Sequence, residues 1–449
     1  MQNMANLYSY RILAKGQFMN FWKLLSIAGG IAAIAGMQPS ITHADQNPAS
    51  GFYLHDGDRV VMYGDSITEQ CLYTVDTETY VTTMFPHLDV AWTAAGWGGD
   101  RVTGGGGGPI DVRLDRDVLP YKPTVMTIML AMNDGGYRPF DQGIFDTFAS
   151  GYKHIIDVVD AGCPGVRYTL ILPSPYDDIT RLPNFPGGYN AVLIKYGQFV
   201  ASLKVPGTAP ADFNTSMNDM LTKAHATDPD LSQKLLPDRV HPSPAGHLVM
   251  AETLLKVWNA PALVASVKLD ASAKSVTNTD NTTVSKPNFG NTITWDELDD
   301  SLPMPYDPTD NLTALVLKSS DFIQAMDQEP LTVAGLPTGS YDLTIDSVDL
   351  GKFTSDQLAA GVNLATLPTP MFVQAQKVGQ LVSQREQWHS QIYHRVEASY
   401  WGSSDPAVKK ALDQFVKVLL NAEQKLVNQE KAAAIPVTHH YVLTPTAAQ

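Results

Sequence analysis

The chain has 449 residues, 44 % of them hydrophobic, and a formal charge of −15 at pH 7. That length points to two or three units with ample core, and the negative charge argues against nucleic-acid binding driven by phosphate contacts, suiting a neutral or cationic partner better. Only Cys71 and Cys163 carry thiols, which excludes a multi-cysteine zinc site and a disulfide-rich scaffold; whether the two pair or stay separate is open at this level.

The first stretch reads as a leader. Arg11, Lys15 and Lys23 are the only charged residues before Asp45, and an apolar run over 24–37 leads to Thr42-His43-Ala44. Such a pattern suits a signal peptidase, so residues 1–44 are expected to be removed on export to the periplasm or beyond, with Met19 as an alternative start. The run is too short to span a bilayer comfortably, and no later segment reads as transmembrane.

From residue 56 to 258 short apolar runs alternate with helical periodicity, which predicts an α/β unit with a parallel sheet. Strands are expected at 60–63, 90–94, 125–130 and 168–172, with a weak one near 211–213. Helices fall between them, the clearest at 140–160, 191–203, 216–226 and 245–258.

The chemistry-bearing residues cluster where these strands exit. The run Val60-Val61-Met62-Tyr63 stops at Gly64 and is followed by Asp65 and Ser66. Ligands of open α/β sheets bind outside the carboxyl ends of the strands, so a hydroxyl there is well placed for chemistry, although GDS alone also reads as a helix N-cap. Gly96 follows the second strand, where a glycine lets the backbone approach a ligand and turn its N–H inward. The glycine run 104–108 reads as a flexible loop. Asn133 and Asp134 follow the third strand, as turn residues or, for the amide, as a donor to an anionic oxygen. Asp238-Arg239-Val240-His241 precedes the last helix, and an acid three residues before a histidine can orient the imidazole as a general base. His247 reads as a packing or capping residue.

Taken together these residues resemble the SGNH hydrolases, the GDSL esterase family. Gly64-Asp65-Ser66, Gly96, Asn133 and the Asp238–His241 block stand in family order over roughly residues 56–260. One departure is Ala131, where the family block usually has glycine; one added methyl predicts a slightly tighter site. The resemblance implies a flavodoxin-like sheet and metal-free, cofactor-free ester hydrolysis. Ser66 would be the nucleophile, His241 the base and Asp238 its orienter, with Ser66 N–H, Gly96 N–H and the Asn133 amide forming the oxyanion hole. The absence of G-x-S-x-G excludes the ordinary α/β-hydrolase elbow. Asp65, Trp97, Tyr137 and Tyr176 are the candidate substrate contacts, beside polar Asp100, Arg101, Arg138, Asp177 and Asp178.

Beyond the 45–260 catalytic region, residues 261–366 read as a β-rich accessory region, with strand-like runs at 293–295, 314–317 and 341–345. Residues 367–449 read as a helical hairpin and tail. One stripe carries Val378, Leu381, Trp388, Ile392 and Val396, the other Val408, Leu412, Phe415, Leu419 and Leu420; both are expected to pack on each other and on the catalytic domain. The Ser404-Asp405-Pro406 step is a helix start signal. The expected function is an exported serine esterase acting on short acyl or acetyl groups of a carbohydrate or small alcohol. A lipase or thioesterase on longer chains, or a binding protein on a hydrolase scaffold, are the alternatives; oligomeric state is not readable.

Overall fold

The computed structural model describes residues 51–446, so the expected leader lies outside the described residues. Five parallel strands, β1 (Arg59–Gly64), β2 (Ala91–Gly96), β3 (Val125–Met129), β4 (Arg167–Leu172) and the short β5 (Ala211–Asp212), form a sheet in the order β2-β1-β3-β4-β5. This is the flavodoxin-like order. Its strands read as continuous apolar runs because helices cover both faces: Val60 to Tyr63 and Val125 to Met129 are all buried. The order reverses at β1, and ligands of such sheets bind outside the carboxyl ends of the strands at this switch point.

The intervening helices are α1 (Ser66–Glu69), α2 (Tyr73–Met84), α3 (Ile110–Asp117), α4 (Gln142–Gly162), α5 (Gly188–Ser202), α6 (Phe213–Thr227) and α7 (Pro244–Val257). Side-chain caps start the longer ones: Asp141 accepts from Ile144 N–H, Asp212 from Thr215 N–H, and Ser243 from Gly246 N–H ahead of Pro244. Cys71 and Cys163 are both free thiols.

The C-terminal strands are β6 (Ser266–Asp270), β7 (Ser275–Asp280), β8 (Thr282–Phe289), β9 (Ile293–Asp299), β10 (Pro330–Ala334), β11 (Ser340–Ile345), β12 (Val348–Thr354), β13 (Val362–Asn363) and β14 (His439–Pro445). They make two sheets, β8-β9-β14-β11-β12 and β13-β10-β6-β7, which share a core of Trp295, Leu331, Val333, Leu343 and Tyr441. The strand-like run 314–317 is instead helical. It lies inside α8 (Asn311–Ser319), which Asp310 caps through Thr313 N–H. Buried Leu315 and Val316 join the core of the catalytic sheet, so tertiary burial overrides β propensity.

The two long helices are α9 (Pro370–Gln391) and α10 (Pro406–Ala434), each started by a capping residue, Thr369 or Asp405, before proline. Val378, Leu381 and Ile392 are buried as the first stripe predicts, but Trp388 is exposed, and on the second helix Phe415 is 52 % exposed. The reason is that α10 is held by charge rather than by its apolar stripe. Buried Arg385 of α9 pairs with Glu78 of α2 and reaches Glu423 of α10 at 3.3 Å and Glu430 at 3.6 Å, while His389 meets Glu423 at 3.1 Å. After α10 the chain returns as β14, in the middle of a sheet. Among the described residues no helix is long and apolar enough to cross a membrane.

Candidate active site

Ser66 opens α1 directly after β1, half-buried at the carboxyl edge of the sheet. Its Oγ lies 2.8 Å from His241 Nε2, and His241 Nδ1 lies 2.6 Å from Asp238 Oδ2. The loop before α7 builds this pairing locally, since Asp238 Oδ1 also accepts from the His241 N–H at 2.8 Å and the Val240 N–H at 3.0 Å. Carboxylate and imidazole are thus fixed by the same turn. Partial burial opposes ionisation of Asp238, yet the hydrogen bonds from the His241 ring and backbone hold its carboxyl down at about 2. Burial likewise works against charge on His241, but Asp238 outweighs it and raises the imidazole above its ordinary value. With Nδ1–H donating to the carboxylate, Nε2 is free to accept the hydroxyl proton of Ser66.

Gly96 ends β2 beside α1, and a Cβ there would sit 2.1 Å from Glu69 N. No side chain fits without moving the backbone of α1. The Asn133 amide donates to the Asp100 carbonyl at 3.0 Å through Nδ2, and its Oδ1 accepts from Tyr137 Oη at 3.0 Å. An amide nitrogen carries two hydrogens, so one donor of Asn133 is left over after Asp100 is served. Asp134 closes the turn, accepting from Val102 and Ala131 N–H groups at 2.9 and 3.0 Å. Burial pushes its carboxyl up to about 6 against those bonds.

Ala131 has φ +108°. Beyond the added methyl, the backbone there is left-handed, a conformation that a glycine suits and in which alanine bears strain.

The four candidate substrate contacts are placed unequally. Asp65 is buried, accepts from Ile67 N–H at 3.0 Å, and is raised by burial to about 7. Trp97 is half-buried and flanked by the C-terminal segment, its ring 4.2 Å from His394 and 5.2 Å from Tyr393. Tyr176 is buried and accepts from Asn184 Nδ2 at 2.7 Å. Tyr137 is 44 % exposed and the most accessible of the set. Beside Asn133 a pocket of about 260 Å³ opens, lined by Arg101, Thr103, Arg138 and Thr147 with Val102 and Phe148.

His247 is fully buried on α7, where Nδ1 accepts from the first N–H of α2 at 3.2 Å and Nε2 donates to Gln70 Oε1 at 3.0 Å. Among the described residues no group of three or more His, Cys, Asp or Glu is arranged to hold a metal ion. Sequence reasoning missed Glu69, Arg113, Tyr393 and His394, which crowd around Gly96. Glu69 stands inside the GDSITE run, but nothing local marks the other three.

Residues 62–249 match the model of the GDSL-like lipase/acylhydrolase family. No curated protein matches the chain. Among solved structures, a gut microbial diltiazem-metabolizing enzyme is similar at 25 % identity and TM-score 0.74, over 88 % of this chain and 98 % of that one. An acetylxylan esterase from Geobacillus stearothermophilus is similar at 19 % identity and TM-score 0.35, over 45 % of this chain and 95 % of its own. A lipase/acylhydrolase from Enterococcus faecalis is similar at 20 % identity and TM-score 0.33, over 44 % and 94 %.

Proposed function

Residues 62–249 belong to the GDSL-like lipase/acylhydrolase family, and we propose that the protein hydrolyses short-acyl esters of a carbohydrate or other compact polar alcohol, with Ser66 as nucleophile. The observation that carries this reading is the continuous relay from Ser66 Oγ through His241 to Asp238 at 2.8 and 2.6 Å. His241 Nε2 takes the Ser66 proton as Oγ attacks the ester carbonyl, and Asp238 stabilises the imidazolium that forms. The tetrahedral oxyanion is held by Ser66 N–H, Gly96 N–H and the remaining Asn133 amide hydrogen. His241 then protonates the leaving alcohol, and water repeats the sequence on the acyl-enzyme to release the acid.

Two observations support a compact polar substrate. Tyr137 is exposed and donates to Asn133 Oδ1 at 3.0 Å, so the edge beside the oxyanion donor carries an aromatic face with a hydroxyl, which suits a polar alcohol better than a long alkyl chain. A full-length relative described as diltiazem-metabolizing supports a small organic substrate rather than a long-chain lipid. Each methylene buried in an apolar tunnel would contribute about 0.8 kcal/mol, so an enzyme built for long chains gains steadily in kcat/KM as the acyl chain lengthens. Comparing p-nitrophenyl acetate, butyrate, octanoate and palmitate tests the reading: a maximum at acetate or butyrate is expected, and a rise through octanoate would establish the lipase alternative. Export rests on the leader pattern of residues 1–44, and N-terminal sequencing of the mature protein, expected to begin at Asp45, tests it.

A further inference from the structure

One buried guanidinium stands behind both side and main-chain donors of the oxyanion site. Arg113 of α3 is 0 % exposed. Its Nε donates to Asp100 Oδ2 at 2.6 Å, its Nη2 to the Ala95 carbonyl at 2.9 Å, and its Nη1 to Asp117 and to Tyr393 Oη, the latter at 2.9 Å. Tyr393 in turn donates to the Gly96 carbonyl at 2.7 Å.

Each of these bonds bears on a donor. The peptide linking Ala95 to Gly96 is planar and trans, so a guanidinium that fixes the Ala95 carbonyl also fixes the direction of the Gly96 N–H on the other side of the plane. Tyr393 fixes the next plane through the Gly96 carbonyl. On the second branch, Arg113 anchors the Asp100 carboxylate, and the Asp100 carbonyl accepts the Asn133 amide at 3.0 Å. The residue that orients the Asn133 side chain is therefore tied to the same guanidinium.

Tyr393 stands 297 residues from Gly96 in sequence. It is delivered by the π-helical turn at Ile392–Glu397 that follows α9, a rare geometry that is frequent at functional sites. In that turn the adjacent His394 also comes against β2, its ring over Trp97 and its Nε2 3.5 Å from Glu69 Oε1.

We propose that Arg113 and Tyr393 are positioning residues for oxyanion stabilisation, through which the C-terminal hairpin completes the esterase site. This rests on the reading of Gly96 and Asn133 as oxyanion donors. The two act through peptide planes and never touch substrate. Displacing a reacting group by about 1 Å can cost on the order of a hundredfold in rate, so losing one hydroxyl that holds one plane is expected to cost roughly tenfold to a hundredfold.

The test uses the full chain carrying Tyr393→Phe, Arg113→Lys or Asn133→Ala. Turnover of p-nitrophenyl acetate is expressed per active site titrated with a serine-directed phosphonate, so that unfolded protein does not count. Tyr393→Phe should lower kcat roughly tenfold to a hundredfold with KM within about twofold, and should weaken inhibition by an aryl trifluoromethyl ketone, which forms an oxyanion, by the same factor. Arg113→Lys, which keeps the charge but not the fork, should do the same. Asn133→Ala should cost about a hundred- to a thousandfold. If Asn133→Ala is impaired while Tyr393→Phe and Arg113→Lys keep the parent kcat per titrated site, the positioning role is overturned and the oxyanion reading stands. Should Asn133→Ala keep the parent kcat, the oxyanion reading itself falls.

Discussion

Ala131 offers a sharp test of how the turn carrying Asn133 is built. It is fully buried with φ +108°, its carbonyl accepts from Asp134 N–H at 3.1 Å, and its own N–H donates to Asp134 Oδ2 at 3.0 Å. The turn closes around a residue whose side chain disfavours the conformation. Holding an L residue in such a region costs about 1–3 kcal/mol. Glycine at 131 releases that cost, but frees about 0.4–1 kcal/mol of backbone entropy in the unfolded chain and removes a buried methyl that contributes about 0.8 kcal/mol. The sum places Ala131→Gly between about 1 kcal/mol less and about 2 kcal/mol more stable than the parent. Ala251, equally buried within α7, has no strain to release. There the same change should cost about 1.5 kcal/mol through helix propensity and the lost methyl. Urea denaturation of both variants reads the difference, expected at about 1–3 kcal/mol in favour of Ala131→Gly. Equal destabilisation of the two would refute the strain argument.

Two further outcomes follow from ionisation. His241 must be neutral to accept a proton and is raised by Asp238, so kcat/KM should climb along a limb centred above pH 6.5. Asp238→Asn should move that limb down and lower kcat by roughly two to four orders of magnitude; an unmoved limb would detach Asp238 from His241. His247 is pushed by burial, and by the nearby His241 charge, down to about 3. A depressed histidine leaves stability intact above its unfolded value of about 6.5 and erodes it as pH falls from there toward about 3, at about 1.4 kcal/mol per pH unit. Buried carboxyls raised by burial slope the other way, so the comparison is between parent and His247→Asn. The variant should lose about one proton from the dependence of unfolding free energy between about pH 4 and 6; identical slopes would contradict the buried neutral assignment.

The parts of this site that could be read from sequence are those that local rules impose. Strand exits follow from apolar runs ending at Gly64 and Gly96, and the Asp238–His241 turn is self-contained. The helix α2 has no such local signature. Its run Tyr73-Thr74-Val75-Asp76-Thr77 is rich in β-branched residues, yet α7 covers one side and α9 another, and Thr77 and Thr83 satisfy their hydroxyls on the preceding turn. Tertiary cover, not propensity, makes it a helix. The strain at Ala131 is a φ angle, which one residue name does not reveal. Phe415 occupies a plausible helical stripe, but the Arg385 network decides which face of α10 turns inward. Trp97 reads as a substrate contact because it follows a strand, whereas its neighbours Tyr393 and His394 arrive from the far end of the chain. Long-range placement of this kind has no local signature.

In the proposed reaction Ser66 carries the acyl group. Inactivating the full chain with a p-nitrophenyl alkylphosphonate and locating the adduct by peptide mass spectrometry tests it most directly, alongside Ser66→Ala. One phosphonyl group is expected, on the peptide containing Ser66, with release of p-nitrophenol matching the loss of activity, and no adduct or aryl acetate turnover in folded Ser66→Ala. An adduct on another residue, or Ser66→Ala turning over p-nitrophenyl acetate at the parent rate, would contradict it.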